Sequence, residues 1–255
     1  MQNFEIFNLT DRVAVITGGA SGIGRGCAEA LACAGAKIMI ADLQDDKMQE
    51  VKYAIESNGG ECACFHADLT KEENCRDMVV ACIEKFGRLD ILVNSAGSRG
   101  LHGDLDSEFS ADNLRLTMGI DFDGTFNAIK YAYPECAKNG VGSIINIASL
   151  AALSARGPIV YSAAKGAIRS LSKTLAKRFG ALKVRVNTIH PGFILTPMNE
   201  KVKEVPELLE KYKSESPLNM VGEKEDIGWC ALYLASDAAK FVTGQDFVIN
   251  GGATA

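Results

Sequence analysis

The sequence predicts a single α/β domain in which a parallel β-sheet is covered by helices on both faces. Short β-branched and apolar runs alternate with longer helical patterns along the chain, an order typical of parallel sheets. The 255 residues suffice for one large domain, and 47% are hydrophobic against 23% charged, as in globular proteins. We find no internal repeat or change of composition that would mark a second domain, so residues 1–255 are predicted to form one unit.

Seven strands and six longer helices can be placed in chain order. Strands are predicted at Val13–Thr17, Lys37–Ala41, Glu61–Ala67, Ile91–Asn94, Gly142–Ala148, Val184–His190 and Asp246–Ile249. Helices are predicted near Gly22–Cys33, Asp45–Ser57, Lys71–Phe86, Asp112–Lys138, Pro158–Phe179 and Lys224–Ser236. One long irregular stretch, Gly192 to Val221, interrupts this alternation.

Charge and cysteine usage exclude several classes of function. The net charge of −5 and the pI near 5.4 argue against a nucleic-acid partner, which requires a basic face. The eight cysteines show no C-x-x-C pair and no zinc-finger spacing, so we interpret them as reduced packing residues and predict no metal. No signal-peptide pattern or long apolar stretch is visible, so we expect a cytoplasmic protein without a membrane partner.

The first turn of the chain carries a phosphate-binding pattern. The segment TGGASGIG, residues 17–24, directly follows the first predicted strand and opens the first helix. Glycines there permit a tight turn and a close backbone approach, and the helix N-terminus offers free N–H groups to a pyrophosphate. We therefore expect a dinucleotide to contact Gly18, Ser21, Gly22, Ile23 and Gly24.

An acid follows this turn at the distance that dinucleotide binding requires. Asp42 ends the second strand, about 20 residues on, where a carboxylate accepts hydrogen bonds from ribose hydroxyls and repels a 2′-phosphate. Arg25 lies past the glycines on the helix, so the sequence favours NAD(H) over NADP(H), although a capping or turn aspartate is the alternative. Asp68 is either an adenine contact or an ordinary helix start. Other expected cofactor contacts at strand ends are Leu43, Leu69, Asn94, Ala96 and Gly97.

A phenol and an ammonium lie four residues apart in the Ala-rich helix predicted at Pro158–Phe179. Tyr161 and Lys165 share one helix face, about 5–6 Å apart at Cβ. A cation near a phenol favours the phenolate, and a tyrosine tuned in this way exchanges a proton with a substrate oxygen. The alternative for an isolated pair of this spacing is two ordinary residues on a surface helix.

These motifs, together with Asn94-Ser95-Ala96-Gly97, resemble those of the classical short-chain dehydrogenase/reductases over about Leu9 to Gly252. The resemblance implies one Rossmann-like, doubly wound domain with a seven-stranded parallel sheet, commonly assembled into homotetramers or dimers. It implies catalysis by Ser149, Tyr161 and Lys165, in which Ser149 stabilises the substrate oxygen and Tyr161 exchanges the proton. It also implies nicotinamide contacts at Pro191, Gly192, Ile194 and Thr196.

One position departs from the family pattern. The family has an asparagine as a fourth catalytic residue in the helix before the fifth strand, where this chain has Asp121. The asparagine is thought to bend the helix and relay protons to the lysine, and aspartate accepts hydrogen bonds equally well. A carboxylate about 5 Å away destabilises a phenolate by about 3 kcal/mol at a dielectric of about 20, unless Asp121 pairs with Lys165 or is protonated. We therefore predict retained activity with an alkaline-shifted optimum.

The resemblance places a substrate pocket beneath a lid at about residues 196–221, in which Glu200 to Lys213 suggests a short amphipathic helix. The expected lining is mostly apolar: Ser98, Arg99, Ala151, Leu153, Phe193, Met198 and Met220. An apolar pocket with one polar anchor favours a secondary alcohol or ketone on a bulky hydrophobic scaffold, such as a hydroxysteroid. The alternatives are a 3-oxoacyl-thioester reductase, a sugar or polyol dehydrogenase, and a non-catalytic NAD(H)-binding regulator.

Overall fold

The computed structural model describes residues 4–154 and 157–255. Its strands are β1 Val13–Thr17, β2 Lys37–Asp42, β3 Cys62–His66, β4 Ile91–Asn94, β5 Gly142–Ile147, β6 Val184–Pro191 and β7 Asp246–Ile249. They form one seven-stranded sheet in the order β3-β2-β1-β4-β5-β6-β7, and all neighbours are parallel. The predicted parallel sheet is confirmed.

The helices that follow the strands agree with the prediction, with two additions. They are α1 Gly22–Cys33, α2 Asp45–Ser57, α3 Glu72–Phe86, α4 Leu105–Glu108, α5 Ala111–Thr117, α6 Gly124–Lys138, α7 Ile159–Phe179, α8 Pro206–Ser214 and α9 Lys224–Ala235. The helix predicted over Asp112–Lys138 is α5 and α6, joined by a π-helical turn at Met118–Asp123. The short α4 was missed because it buries no residue and so leaves no apolar pattern in the sequence.

Both faces of the sheet are buried. Ile16 of β1 packs in a cluster with Leu31 of α1 and Leu234 of α9. Val15, the residue before it, points to the opposite face and packs with Met78 of α3. Strands covered on both faces have no polar side, which explains why they appear in the sequence as continuous apolar runs rather than alternating ones.

Seven of the eight cysteines are buried or partly buried, and Cys33 is exposed. All eight are free thiols, and burial raises the pKa of Cys27 to about 12. Within residues 4–154 and 157–255 no group of three or more His, Cys, Asp or Glu side chains is placed to hold a metal. None of the helices in these ranges has both the length and the apolar character that a membrane span requires.

The chain reverses its winding between β1 and β4, which are sheet neighbours. In open α/β sheets such a switch point leaves a crevice at the carboxyl ends of the strands. The glycine turn follows β1, Asp42 ends β2, Ser149 follows β5 and Pro191 ends β6. The fold therefore brings the separate sequence motifs to one edge of the sheet.

Candidate active site

A cleft of about 1420 Å³ runs along this edge from the glycine turn to the lid. Pockets for single ligands measure about 300–1,000 Å³, so a dinucleotide and a second molecule fit together. The predicted cofactor residues that line the cleft are Gly18, Ser21, Gly22, Ile23, Gly24, Asp42, Leu43, Asp68, Leu69, Ala96, Gly97, Tyr161, Lys165, Pro191, Gly192, Ile194 and Thr196. Asn94 is a correction, because it is buried and its amide donates to Asn146 Oδ1 at 2.8 Å within the core.

The glycine turn forms a wall of backbone. Gly18 has φ +67, and a Cβ there would lie 2.7 Å from the Cα of Ala96 in the loop after β4. At the start of α1 the side chain of the N-cap Ser21 makes no capping hydrogen bond, which leaves the first N–H groups of the helix to a ligand. This bare cradle, with a free helix N-terminus, fits the pyrophosphate of a dinucleotide.

Asp42 is fixed beside the turn. Its Oδ2 accepts from the N–H of Ala20 at 3.1 Å, and its Oδ1 accepts from the N–H of Gln44 at 3.1 Å. The cleft residues that follow it, Leu43 and Gln44, carry no charge. Arg25 turns along α1 instead and pairs with Glu29, with Nε 2.7 Å from Oε1.

Asp68 has the geometry of a helix start. Its Oδ1 accepts from the hydroxyl of Thr70 at 2.6 Å and from the N–H of Thr70 at 3.1 Å. The hydroxyl hydrogen bond, with the backbone bond and Lys71, outweighs the opposing effect of desolvation and lowers the pKa of Asp68. Asp68 nevertheless lines the cleft, so both interpretations of this residue have structural support.

Three of the four predicted catalytic residues line the cleft, and the fourth, Asp121, is buried. Tyr161 and Lys165 project from α7, and the Nζ of Lys165 lies 5.5 Å from the centre of the Tyr161 ring. Ser149 follows β5, and its Oγ accepts from the N–H of Ala151 at 3.1 Å. Ala151, which was predicted to line the substrate pocket, is buried and is not among the residues that line the cleft.

Asp121 and Lys165 form a buried ion pair. The Nζ of Lys165 lies 2.7 Å from Oδ1 of Asp121, and the two side chains are 5% and 0% exposed. The N–H of Ser98 donates to the other oxygen, Oδ2, at 3.0 Å. A Cβ on Gly97 would lie 2.7 Å from Oδ1 and 3.1 Å from Nζ, so only glycine leaves room for the pair.

Pairing with Lys165 is one of the two possibilities that the sequence left open for Asp121, and the structure shows it. Burial lowers the pKa of Lys165, but the negative charges of Asp121 and Tyr161 raise it by more, so its pKa lies above the ordinary value. The ammonium is therefore retained in a buried site, and its charge is balanced locally. Asp121 sits in the π-helical turn, a widened turn of the kind often found at functional sites.

The lid is fastened at both ends. The N–H of Leu195 donates to the carbonyl of Gly222 at 2.9 Å, and the N–H of Gly222 donates to the carbonyl of Phe193 at 3.0 Å. The Phe193 ring stacks on Tyr212 of α8, with centroids 3.7 Å apart. The helix predicted over Glu200 to Lys213 is two pieces, because the chain becomes extended at Val205, directly before a proline.

The predicted substrate lining and the observed lining of the cleft overlap in part. Ser98, Arg99, Phe193, Met198 and Met220 line the cleft, whereas Leu153, like Ala151, does not. Sequence reasoning missed Leu116, Ile120, Pro158, Lys211, Tyr212, Leu218 and Ala253. Leu116 and Ile120 are four residues apart on one helical face, a signal that could have identified them. Ala253 carries no such signal, since only the folded chain brings the carboxyl-terminal segment to the lid.

Comparison with known proteins agrees with this geometry. A family model described as Enoyl-(Acyl carrier protein) reductase matches residues 18–254. The chain is 39% identical, over 96% of each chain, to the 2,5-dichloro-2,5-cyclohexadiene-1,4-diol dehydrogenase LinX of Sphingobium indicum. It is 38% identical to the trans-4-hydroxycyclohexanecarboxylate dehydrogenase of Sinomonas cyclohexanicum, over 97% of this chain and 94% of the relative.

A solved structure extends the likeness to three dimensions. A short-chain type dehydrogenase/reductase from Mycobacterium ulcerans has a TM-score of 0.91 at 36% identity, over 96% of this chain and 90% of that chain. These matches span nearly all of the sequence, and the solved structure shares its fold. The protein belongs to the short-chain dehydrogenase/reductase family.

Proposed function

We propose that this protein is an NAD(H)-dependent dehydrogenase that interconverts a cyclic secondary alcohol and its ketone. The observation that carries this proposal is the convergence of Ser149, Tyr161 and Lys165 on one cleft with the glycine turn. The two relatives described above are named as dehydrogenases of a cyclohexadiene diol and a hydroxycyclohexane carboxylate, which suggests a six-membered carbocycle.

The cofactor is held by the backbone cradle and a few side chains. The N–H groups at the start of α1 bind the pyrophosphate, Asp42 accepts from the ribose hydroxyls, and Ile194 and Thr196 contact the carboxamide. When bound, the nicotinamide supplies a hydride acceptor in oxidation and a donor in reduction. NAD(H) is preferred because Asp42 repels a 2′-phosphate, while Arg25, the nearby cation, is engaged with Glu29.

The protein contributes proton transfer and placement. The Ser149 hydroxyl donates to the substrate oxygen and stabilises its partial negative charge. Tyr161 takes the hydroxyl proton in oxidation and returns it in reduction. Lys165 faces the Tyr161 ring, and Asp121 balances part of its positive charge. This balance is the basis for proposing an alkaline-shifted optimum.

The substrate end of the cleft suits an apolar ring. Its walls include Ile120, Leu150, Phe193, Met198 and Tyr212, with the Ser149 and Tyr161 hydroxyls as polar anchors. The hydroxysteroid expected from the sequence has no counterpart in the names of the two relatives. We therefore narrow the proposal to a single carbocycle and keep the steroid as a tested alternative.

Thioester reduction is the second candidate. Two cations, Arg99 and Lys211, line the cleft, and a carrier-bound substrate would bring negative charge to the site. The description of the matching family model also names a reductase of acyl-carrier substrates. Asp42 counts against this candidate if the thioester reaction requires NADPH.

The test is a spectrophotometric assay with NAD and NADP in parallel. The panel comprises cyclohexanol, trans-4-hydroxycyclohexanecarboxylate, a hydroxysteroid and glycerol, and, with the reduced cofactors, acetoacetyl thioester. We expect turnover with NAD and the single-ring alcohols, and loss of it in Tyr161→Phe. Turnover confined to NADPH and the thioester would replace the proposal with the second candidate. Tight NAD(H) binding with no turnover on any substrate would indicate a non-catalytic regulator.

A further inference from the structure

Helix α7 carries four polar side chains on one face, at a spacing of four residues. The first two line the cleft, and the last two face the edge strand β7. The four residues are Tyr161, Lys165, Arg169 and Lys173. In β7, Oδ2 of Asp246 lies 2.8 Å from Nε of Arg169 and 2.9 Å from Nζ of Lys173.

The second oxygen of this carboxylate faces a buried histidine. Oδ1 of Asp246 lies 3.2 Å from Nε2 of His190, which is 0% exposed at the end of β6. On the other side of the ring, Nδ1 lies 3.0 Å from the carbonyl oxygen of Ser149. A continuous path of polar contacts therefore runs from α7 through Asp246 and His190 to the backbone of Ser149, which lines the same cleft as Tyr161.

Both partners of the His190 ring are hydrogen-bond acceptors. The Ser149 carbonyl can only accept, so Nδ1 must carry a proton to bond it. Asp246 is ionised: burial raises its pKa, but hydrogen bonds from Lys173, His190 and Arg169 lower it by more. A neutral imidazole has one N–H and would turn a lone pair toward one of these two oxygens.

We propose that His190 is an imidazolium that acts as a positioning residue, clamping the carbonyl of Ser149 and thereby fixing the Ser149 hydroxyl relative to Tyr161. The charged groups around it are Asp246 on β7 and, bound to that carboxylate, Arg169 and Lys173 on α7. Lys165, one turn earlier on the helix, is neutralised by Asp121. Helix α7 thus carries Tyr161 and, through Arg169 and Lys173, also binds the carboxylate that contacts His190.

The protonation state can be measured without turnover. The ring nitrogens of the full-length protein are observed by ¹H–¹⁵N correlation, and the chain has three histidines, so His66→Gln and His102→Gln assign the signals. We expect His190 to keep both ring protons at neutral and mildly alkaline pH, and to become neutral in Asp246→Asn. A neutral His190 ring in the native protein would overturn the proposal, as would an imidazolium that persists in Asp246→Asn.

Kinetics test the positioning role, which rests on the proposed parts played by Ser149 and Tyr161. His190→Ala should lower kcat about tenfold while the KM for NAD stays constant, because the oxyanion donor is misplaced but the cofactor side is intact. His190→Asn, whose amide can still donate to the Ser149 carbonyl, should recover part of kcat. Equal kcat in native and His190→Ala protein would overturn the positioning role.

The nuclear magnetic resonance measurement and the kinetic measurement together distinguish a failure of this inference from a failure of the proposed function. If no alcohol is turned over, the proposed function fails. The ¹H–¹⁵N correlation still measures the protonation of the His190 ring and its dependence on Asp246. If His190→Ala does not fold, Asp246→Asn provides the kinetic comparison as well; because Asp246 also pairs with Arg169 and Lys173, Lys173→Ala is the control for the ion pairs lost on α7. A kcat unchanged in Asp246→Asn despite a neutralised ring would then count against the proposal.

Discussion

The two ends of the cleft are built in different ways. At the dinucleotide end, the walls are the carboxyl ends of β1 and β2 and the glycine turn, where backbone packs on backbone and Gly18 lies against Ala96. At the substrate end, the outer wall is a lid held by a bridge between Ile194 and Gly222 and by the stacked rings of Phe193 and Tyr212. A backbone wall tolerates no added atom, whereas a side-chain wall can change shape.

This difference indicates that substrate specificity can change at the lid more easily than cofactor binding can change at the sheet. Sheet ends are held by ladder hydrogen bonds and buried cores, so their geometry is shared by any chain with the same strand order. The lid has exposed apolar side chains, with Met198 58% and Met220 50% exposed, and methionines adapt to irregular shapes. Substitutions should therefore have large, general effects at the dinucleotide end and small, substrate-dependent effects at the lid.

The largest effect is expected at Gly18. In Gly18→Ala the new Cβ would lie 2.7 Å from backbone atoms, in a left-handed conformation that already disfavours alanine. We expect NAD affinity to fall about 100-fold by calorimetry, equivalent to about 2.8 kcal/mol. The matched control is Gly59→Ala. Gly59 also has a left-handed backbone, with φ +82, but no atom lies within 4 Å of the added Cβ, so this variant has the backbone strain without the steric clash. Equal NAD affinities in the two variants would remove the argument from close packing.

Asp121 lies at the boundary between the two ends. Asp121→Ala leaves the buried Lys165 unpaired and should reduce the free energy of unfolding by about 3–5 kcal/mol, measured by urea titration. Asp121→Asn should reduce the free energy of unfolding by less than Asp121→Ala does. It should also move the pH–rate profile to lower pH, because the positive charge of Lys165 is no longer balanced. An identical pH–rate profile in Asp121→Asn would refute the balancing role.

The ion pair also predicts a pH dependence of stability. The pKa of Lys165 is raised in the folded protein above its ordinary value of 10.5, so the stabilisation is fully present below 10.5. It is lost only as the pH rises through the folded value. The contribution of Lys165 to the unfolding free energy of the native protein should therefore be constant across neutral pH and fall only above 10.5. In Asp121→Asn burial lowers the pKa of Lys165 without the offsetting carboxylate, so this variant should gain stability as the pH rises toward 10.5; the same pH dependence in both proteins would refute the pairing.

Asp42 should have an intermediate effect that concerns the cofactor alone. Asp42→Ala removes a charged acceptor worth about 1.5–3 kcal/mol, so NAD affinity should fall about 10- to 100-fold while the penalty against NADP disappears. Fluorescence titration with both cofactors measures this change. Asp45→Ala, at the start of α2 and outside the cleft, serves as the control. An unchanged NAD to NADP preference would leave Asp42 as a turn residue.

The smallest effect is expected at the lid. Tyr212→Ala removes the stack on Phe193, worth about 0.5–1.5 kcal/mol, so the KM for the alcohol should rise about 2- to 12-fold. The KM for NAD should not change. Tyr53→Ala, an exposed tyrosine on α2, controls for the loss of a ring. A large change in NAD binding in Tyr212→Ala would mean that the two ends of the cleft are not separable.

Much of the fold and the cofactor end could be predicted because they depend on local patterns. The strands are apolar runs in the sequence, and their ends were predicted to within one residue. The runs are apolar because strands buried on both faces carry mostly apolar side chains on both. The glycine turn and Asp42 are set by spacing from strand ends. The lid was harder, because its exposed helices carry little periodicity and the break at Val205 depends on a proline that the amphipathic pattern ignores.

The sequence by itself determined the parallel α/β class and the shared helix face of Tyr161 and Lys165, because short-range periodicity and spacing encode which side chains share a face; the resemblance to the family added Ser149. Only the tertiary structure decided their electrostatics. Asp121 could have faced Tyr161, paired with Lys165 or been neutral, and the choice depends on contacts between α7, the π-helical turn and Gly97. His190 and Asp246 are 56 residues apart in the chain, and only the β6–β7 pairing brings them into contact. Charge interactions act over distances in space, so residues far apart in sequence set them.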